Sequence, residues 1–188
     1  MNKTEFFYKY TTASSEMDYD ERIKIERESI DTNPINIGYG NRNLIIVMEE
    51  CSELIQELIS MQYGIGDRLS LIEETADVEQ GLDYVKLICD ISDNEINYDV
   101  SFDTEIVYNK ATNPIVALSL LQQQISKYLR NKLSHKYDLI EAVKNVYISL
   151  EYIKYAYSID KKEINKAMNV KLQRLVEVKQ NNPSAIYQ

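Results

Sequence analysis

Apolar residues recur at helical spacing through two stretches of this chain. In residues 43–62, Val47, Cys51, Leu54, Leu58 and Met61 fall on one stripe, and the spacing predicts a helix that buries it. Residues 63–68 (YGIGDR) interrupt the pattern with two glycines. A second helix is expected to open on a capping box, with Ser70 as N-cap and Glu73 three residues on. It continues to about Asp90 with Leu71, Val78, Leu82, Val85 and Cys89 facing inward. Upstream, residues 1–17 are polar and aromatic with little pattern, and residues 19–30 predict a helix with little apolar face. The Pro, Gly and Asn of residues 32–40 read as a loop. Residues 92–113 are polar and read as a linker, in which VSFDTEIVY has the character of a short strand or helix.

The pattern then returns. LIEETADVEQGLDYVKLICDISDNEIN (71–97) aligns without gaps on LIEAVKNVYISLEYIKYAYSIDKKEIN (139–165) at a constant offset of 68. Asp138 takes the place of Ser70, and ALSLLQQQISKYL (117–129) that of VMEECSELIQEL (47–58), with a turn about three residues shorter. An ungapped run of this kind reads as a tandem duplication of a helical hairpin. The expected organisation is one all-α domain. Residues 1–42 form an N-terminal extension, 43–97 the first hairpin, 98–113 a linker, and 114–179 a second hairpin with a C-terminal helix.

The second copy has lost the acids of the first. Glu74 and Asp77 align with Ala142 and Asn145, and Glu50 and Glu53 with Leu121 and Gln124. Only Glu73 keeps its counterpart, Glu141, as a capping residue would. One scaffold carries the carboxylates and its sibling does without them, so they serve more than solubility.

Composition narrows the field. A chain of 188 residues with 44% hydrophobic content, five Gly and three Pro suits a compact helical protein. Nothing approaches the ~20 apolar residues of a membrane span, and MNKTEFFYKY lacks the apolar core of a signal peptide. Cys51 and Cys89 both fall in expected helices without a disulfide spacing, which fits a reducing, cytoplasmic setting. A net charge of −9 opposes general nucleic-acid binding. That charge is unevenly spread: residues 43–97 hold thirteen acidic and two basic side chains, and residues 114–179 six acidic and twelve basic. A polyanion held at the acidic half could meet cations from the basic half, or the basic residues could form an outer surface.

The chemistry lies in two acidic clusters. Glu49, Glu50 and Glu53 sit in MEECSEL and Glu74 and Asp77 in EETADV, with twenty residues between Glu53 and Glu74. Residues three apart on a helix share a face, so Glu50/Glu53 and Glu74/Asp77 form two acidic edges. If the two helices pack antiparallel, the edges face each other and four converging carboxylates need a cation. Hard oxygen ligands favour Mg²⁺, or Mn²⁺, over zinc, and that points to phosphate chemistry. Di-iron bundles instead carry Glu-x-x-His pairs, and the single His135 lies in a polar turn as a surface residue.

EExxE, about twenty residues, then ExxD on the neighbouring helix resembles the signature of the all-α nucleoside triphosphate pyrophosphohydrolases. That superfamily includes MazG-like proteins and the all-α dUTPases and dCTPases. The likeness covers about residues 43–97 and extends more weakly through the second copy to about 174. It implies a four-helix-bundle core, here with both hairpins in one chain, and a Mg²⁺-dependent cleavage of a (d)NTP to (d)NMP and pyrophosphate. Glu50, Glu53, Glu74 and Asp77 would be metal ligands, and Glu49 would orient or deprotonate the water. Lys171 and Arg174 stand where the family has a basic KxxxN tail, although Leu175 replaces the Asn. Lys86 is a further phosphate candidate and Tyr84 a candidate to stack on the base. The resemblance also implies a homodimer as a possible assembly. A protein of the same fold that sequesters a nucleotide without turnover is the alternative.

Overall fold

In the computed structural model, residues 3–29, 37–96 and 113–181 are described. Seven helices follow one another along these residues: α1 (Lys3–Thr12), α2 (Tyr19–Ser29), α3 (Ile37–Gln62), α4 (Arg68–Ile88), α5 (Pro114–Leu129), α6 (Lys136–Ala156) and α7 (Lys161–Asn181). A single 3₁₀ turn, Asp93–Ile96, follows α4. No strand occurs among the described residues, so the expected all-α class is what the chain forms.

The anticipated stripes make the core. Val47, Cys51, Leu54 and Leu58 of α3 are buried against Leu71, Val78, Leu82, Val85 and Cys89 of α4 and its cap, while Met61 packs at the margin. Leu44 extends the stripe one turn earlier and is fully buried. The helix itself opens at Ile37, so residues 37–40 are helical rather than part of a loop. Residues 31–36, and the segment VSFDTEIVY within 97–112, lie outside the described residues. Helix α1 is a departure of another kind. Its polar, aromatic sequence shows no amphipathic period, yet it folds because one large side chain, Phe6, is buried and stacks on Tyr10.

α3 packs chiefly on α4, α5 on α6, and α3 against α5, while α7 lies along α4. Gly81 sets how closely the first pair approaches. A Cβ there would stand 3.2 and 3.3 Å from the two Val47 methyls, so hydrogen at that position lets the two helices close up.

The offset of 68 holds in three dimensions. Helices α4 and α6 are both 21 residues long, and their ends, N-caps and C-caps are each 68 apart. So are the left-handed residues that end them, Asp90 and Ser158, at φ 53° and 52°. The N-caps, however, are Asp67 and His135 rather than Ser70 and Asp138. Asp67 reaches the amide of Ser70 at 3.1 Å, so Ser70 is already inside the helix, with its hydroxyl donating to the same carboxylate. A true capping box appears instead at Asp160 and Glu163 of α7, each accepting from the other's amide.

Contacts between the copies are reciprocal. Arg68 donates to Glu163 and to the Ser158 carbonyl, while its counterpart Lys136 donates to Glu95 and to the Asp90 carbonyl. Lys154 pairs with Glu79 at 3.3 Å, and its counterpart Lys86 lies over the ring of Tyr147, the residue equivalent to Glu79. Such an exchange is what a twofold relation between two units produces. The upstream register needs one correction. Buried Cys51, Leu54 and Leu58 correspond to buried Leu118, Leu121 and Ile125, an offset of 67. The turns are of five and six residues, not three residues apart. Glu49, Glu50 and Glu53 therefore stand opposite Val116, Ala117 and Leu120, not Leu121 and Gln124, and the second copy still lacks the acids.

Candidate metal centre

The close packing of α3 on α4 decides what the acidic edges do. Val47 lies one turn before Glu50, and Gly81 one turn after Asp77, so the tightest contact of the pair sits beside the carboxylates. Glu50 from α3 and Glu74 and Asp77 from α4 each present an oxygen, all within 4.8 Å of one another. Glu74 and Asp77, twenty-four and twenty-seven positions beyond Glu50 along the chain, thus meet it in one cluster.

Electrostatics record the crowding. Burial, then the charges of Asp77 and Glu53, push Glu50 from its ordinary 4.5 up to about 8. Glu74 rises to about 8 for the same reasons. Asp77 is pushed by burial to about 6, against the pull of Lys171. Glu74 Oε2 is buried and finds no hydrogen-bond partner among the described residues. A buried acceptor with nothing to accept is costly, and a cation would remove the cost.

Glu53 is exposed on the same face of α3, one turn beyond Glu50, and its charge reaches all three clustered carboxylates. It stands at the rim rather than inside the group. Glu49 is exposed beside Glu50.

The basic half enters through α7. Lys171 Nζ lies 2.7 Å from Asp77 and 3.0 Å from Glu73, and 5.7 Å from the centre of the Phe6 ring. Burial alone would depress this ammonium, yet Asp77 and Glu73 hold it above its ordinary value. Glu73 is accordingly no capping residue: it is a fourth part-buried acid beside the cluster, partnered from a helix nearly a hundred residues away. The doubled Glu of EETAD was the available signal. Arg174 is exposed one turn beyond Lys171 on α7.

Two other candidates lie away from this group. Lys86 is nine residues from Asp77, about half a turn round the helix. It pairs with Asp83 at 2.8 Å and Asp93 at 3.0 Å. Tyr84 is half-buried and packs on the core, seven residues beyond Asp77. Cys51, inside the acidic motif, faces the core and its thiol is pushed by burial up to about 12. It packs as a small hydrophobe.

The donor set fits a hard divalent cation. Ligands on opposite sides of a Mg²⁺ stand about 4.2 Å apart, from bonds of ~2.1 Å, and three oxygens within 4.8 Å need little movement to meet that. No described helix is long and apolar enough to cross a membrane. Comparison with known protein families, with curated proteins and with solved structures finds no match to this chain.

Proposed function

We propose that the protein is a Mg²⁺-dependent nucleoside triphosphate pyrophosphohydrolase. The observation that carries this reading is the meeting of Glu50 with Glu74 and Asp77 within 4.8 Å, all oxygen and partly buried. Bound there, Mg²⁺ (or Mn²⁺) would neutralise the triphosphate and polarise its phosphoryl oxygens. Lys171, on the basic α7, supplies a fixed positive charge beside the cluster for the non-bridging oxygens. Glu53 and Glu49, exposed on the α3 edge, would accept the proton of an attacking water. Water adds to the α-phosphorus, the bond from that phosphorus to the α–β bridging oxygen breaks, and pyrophosphate leaves with the bridging oxygen. The products are a nucleoside monophosphate and pyrophosphate.

The test is a panel of NTPs and dNTPs with Mg²⁺, products separated by ion exchange. Monophosphate and pyrophosphate are expected, with turnover abolished in Asp77→Asn while helix content stays unchanged. Release of orthophosphate and diphosphate refutes the reaction. Stoichiometric binding of intact nucleotide instead identifies a sequestering protein.

A further inference from the structure

Where α1 meets the start of α4, a cavity of about 270 Å³ opens between Phe6, Phe7 and Leu69 on its apolar side and Asp67, Ser70 and Glu73 on its polar side. Sites for whole drug-sized ligands run to ~300–1,000 Å³, so this one suits a single ring system. It adjoins the acidic cluster. Glu73 lines the cavity and shares the Lys171 ammonium with Asp77, and that ammonium also lies over Phe6. Ser70, Glu73 and Asp77 fall on one face of α4, and the seven residues from Ser70 to Asp77 span about 10 Å at 1.5 Å each. That is the reach from an α-phosphate across its sugar to the base.

The lining also has a chemical preference. Phe7 lines the cavity and is 57% exposed, so its ring is accessible to a ligand there. The polar side offers acceptance through Glu73, which has one oxygen on Lys171 and a second to accept with. A base with an exocyclic amino group offers a carboxylate an NH₂ donor at the ring edge, whereas thymine and uracil offer only N3–H, flanked on both sides by carbonyl oxygens that a carboxylate repels.

We infer that this cavity is the base subsite of the nucleotide held at the acidic cluster, with Phe7 stacking on the ring and Glu73 accepting from an amino group. The inference rests on the pyrophosphohydrolase reading. It is tested by steady-state kinetics of the full chain and of Phe7→Ala and Phe7→Trp with dATP, dCTP, dGTP, dTTP and dUTP, at saturating Mg²⁺. The wild type should prefer the three amino-bearing bases. Phe7→Ala should raise KM for them about tenfold, the scale of one lost base stack, with kcat nearly unchanged, and Phe7→Trp should restore it. Preference for thymine or uracil, or an unmoved KM in Phe7→Ala, overturns the subsite while leaving the reaction standing. Failure of the wild type to turn over any of the five, or any of the corresponding ribonucleotides, sinks both.

Discussion

Replacing Glu74 by Gln removes one ionisable group from the crowded cluster while nearly keeping its shape. The folded chain holds the Glu74 proton up to about pH 8, because of burial and of its neighbours Asp77 and Glu53. In the unfolded chain the same group releases it near its ordinary 4.5. Between these values the native state binds more protons than the unfolded one, so metal-free stability falls as pH rises from about 4.5 to 8. At ~1.4 kcal/mol per pH decade, the cost at pH 7 reaches an upper figure of about 3 kcal/mol. Solvent screening at a half-buried site and coupling to Glu50 reduce this to about 1–2 kcal/mol. Glu74→Gln should therefore stabilise the metal-free protein at pH 7 by that amount, or roughly 2–8 °C in Tm for a chain of this size. At pH 4.5 the gain should vanish. Added Mg²⁺ should reverse the order, raising the wild-type Tm and leaving the variant nearly unmoved, because only the wild type keeps the full ligand set. Thermal unfolding by circular dichroism in EDTA and in millimolar Mg²⁺, at pH 4.5 and 7, measures all four cases. A variant no more stable than wild type in EDTA at pH 7, or one stabilised equally by Mg²⁺, refutes the reasoning.

Lys171→Met keeps most of the apolar stem but strips Asp77 and Glu73 of their shared cation. It should destabilise the EDTA-treated protein by about 1–3 kcal/mol, and Mg²⁺ should recover part of that loss, read as a larger Mg²⁺-dependent Tm shift than in wild type. Gly81→Leu should force α3 away from α4, since even a bare Cβ meets Val47 at 3.2 Å. A loss of about 1–3 kcal/mol in urea unfolding, together with loss of the Mg²⁺-dependent Tm shift, is expected; an unchanged shift would mean that the helix spacing does not set the site.

How far the chain could be read depended on whether a signal was local. Helix periodicity in α3 through α6 is written in near neighbours, because each stripe must meet a core whatever its partner is. The carboxylate spacing in MEECSEL and EETADV is equally local, and of the four acids it singled out, Glu50, Glu74 and Asp77 come together while Glu53 stays at the rim. Helix α1 was missed because one buried Phe6, not a repeating pattern, secures it. The N-cap was placed three residues late because Asp67 and Ser70 are both good caps, and only backbone geometry chooses between them.

Glu73 departs from its expected role for a different reason. Its own helix suggests a cap, yet its partner is Lys171 of α7. The amino-acid order alone sufficed for an all-helical chain, its repeated hairpin and the acids that could meet. Which acids actually converge, which one a lysine restrains, and where a cavity opens beside them followed from packing. Interactions of that kind depend on distances between segments far apart along the chain, and no local pattern encodes those distances.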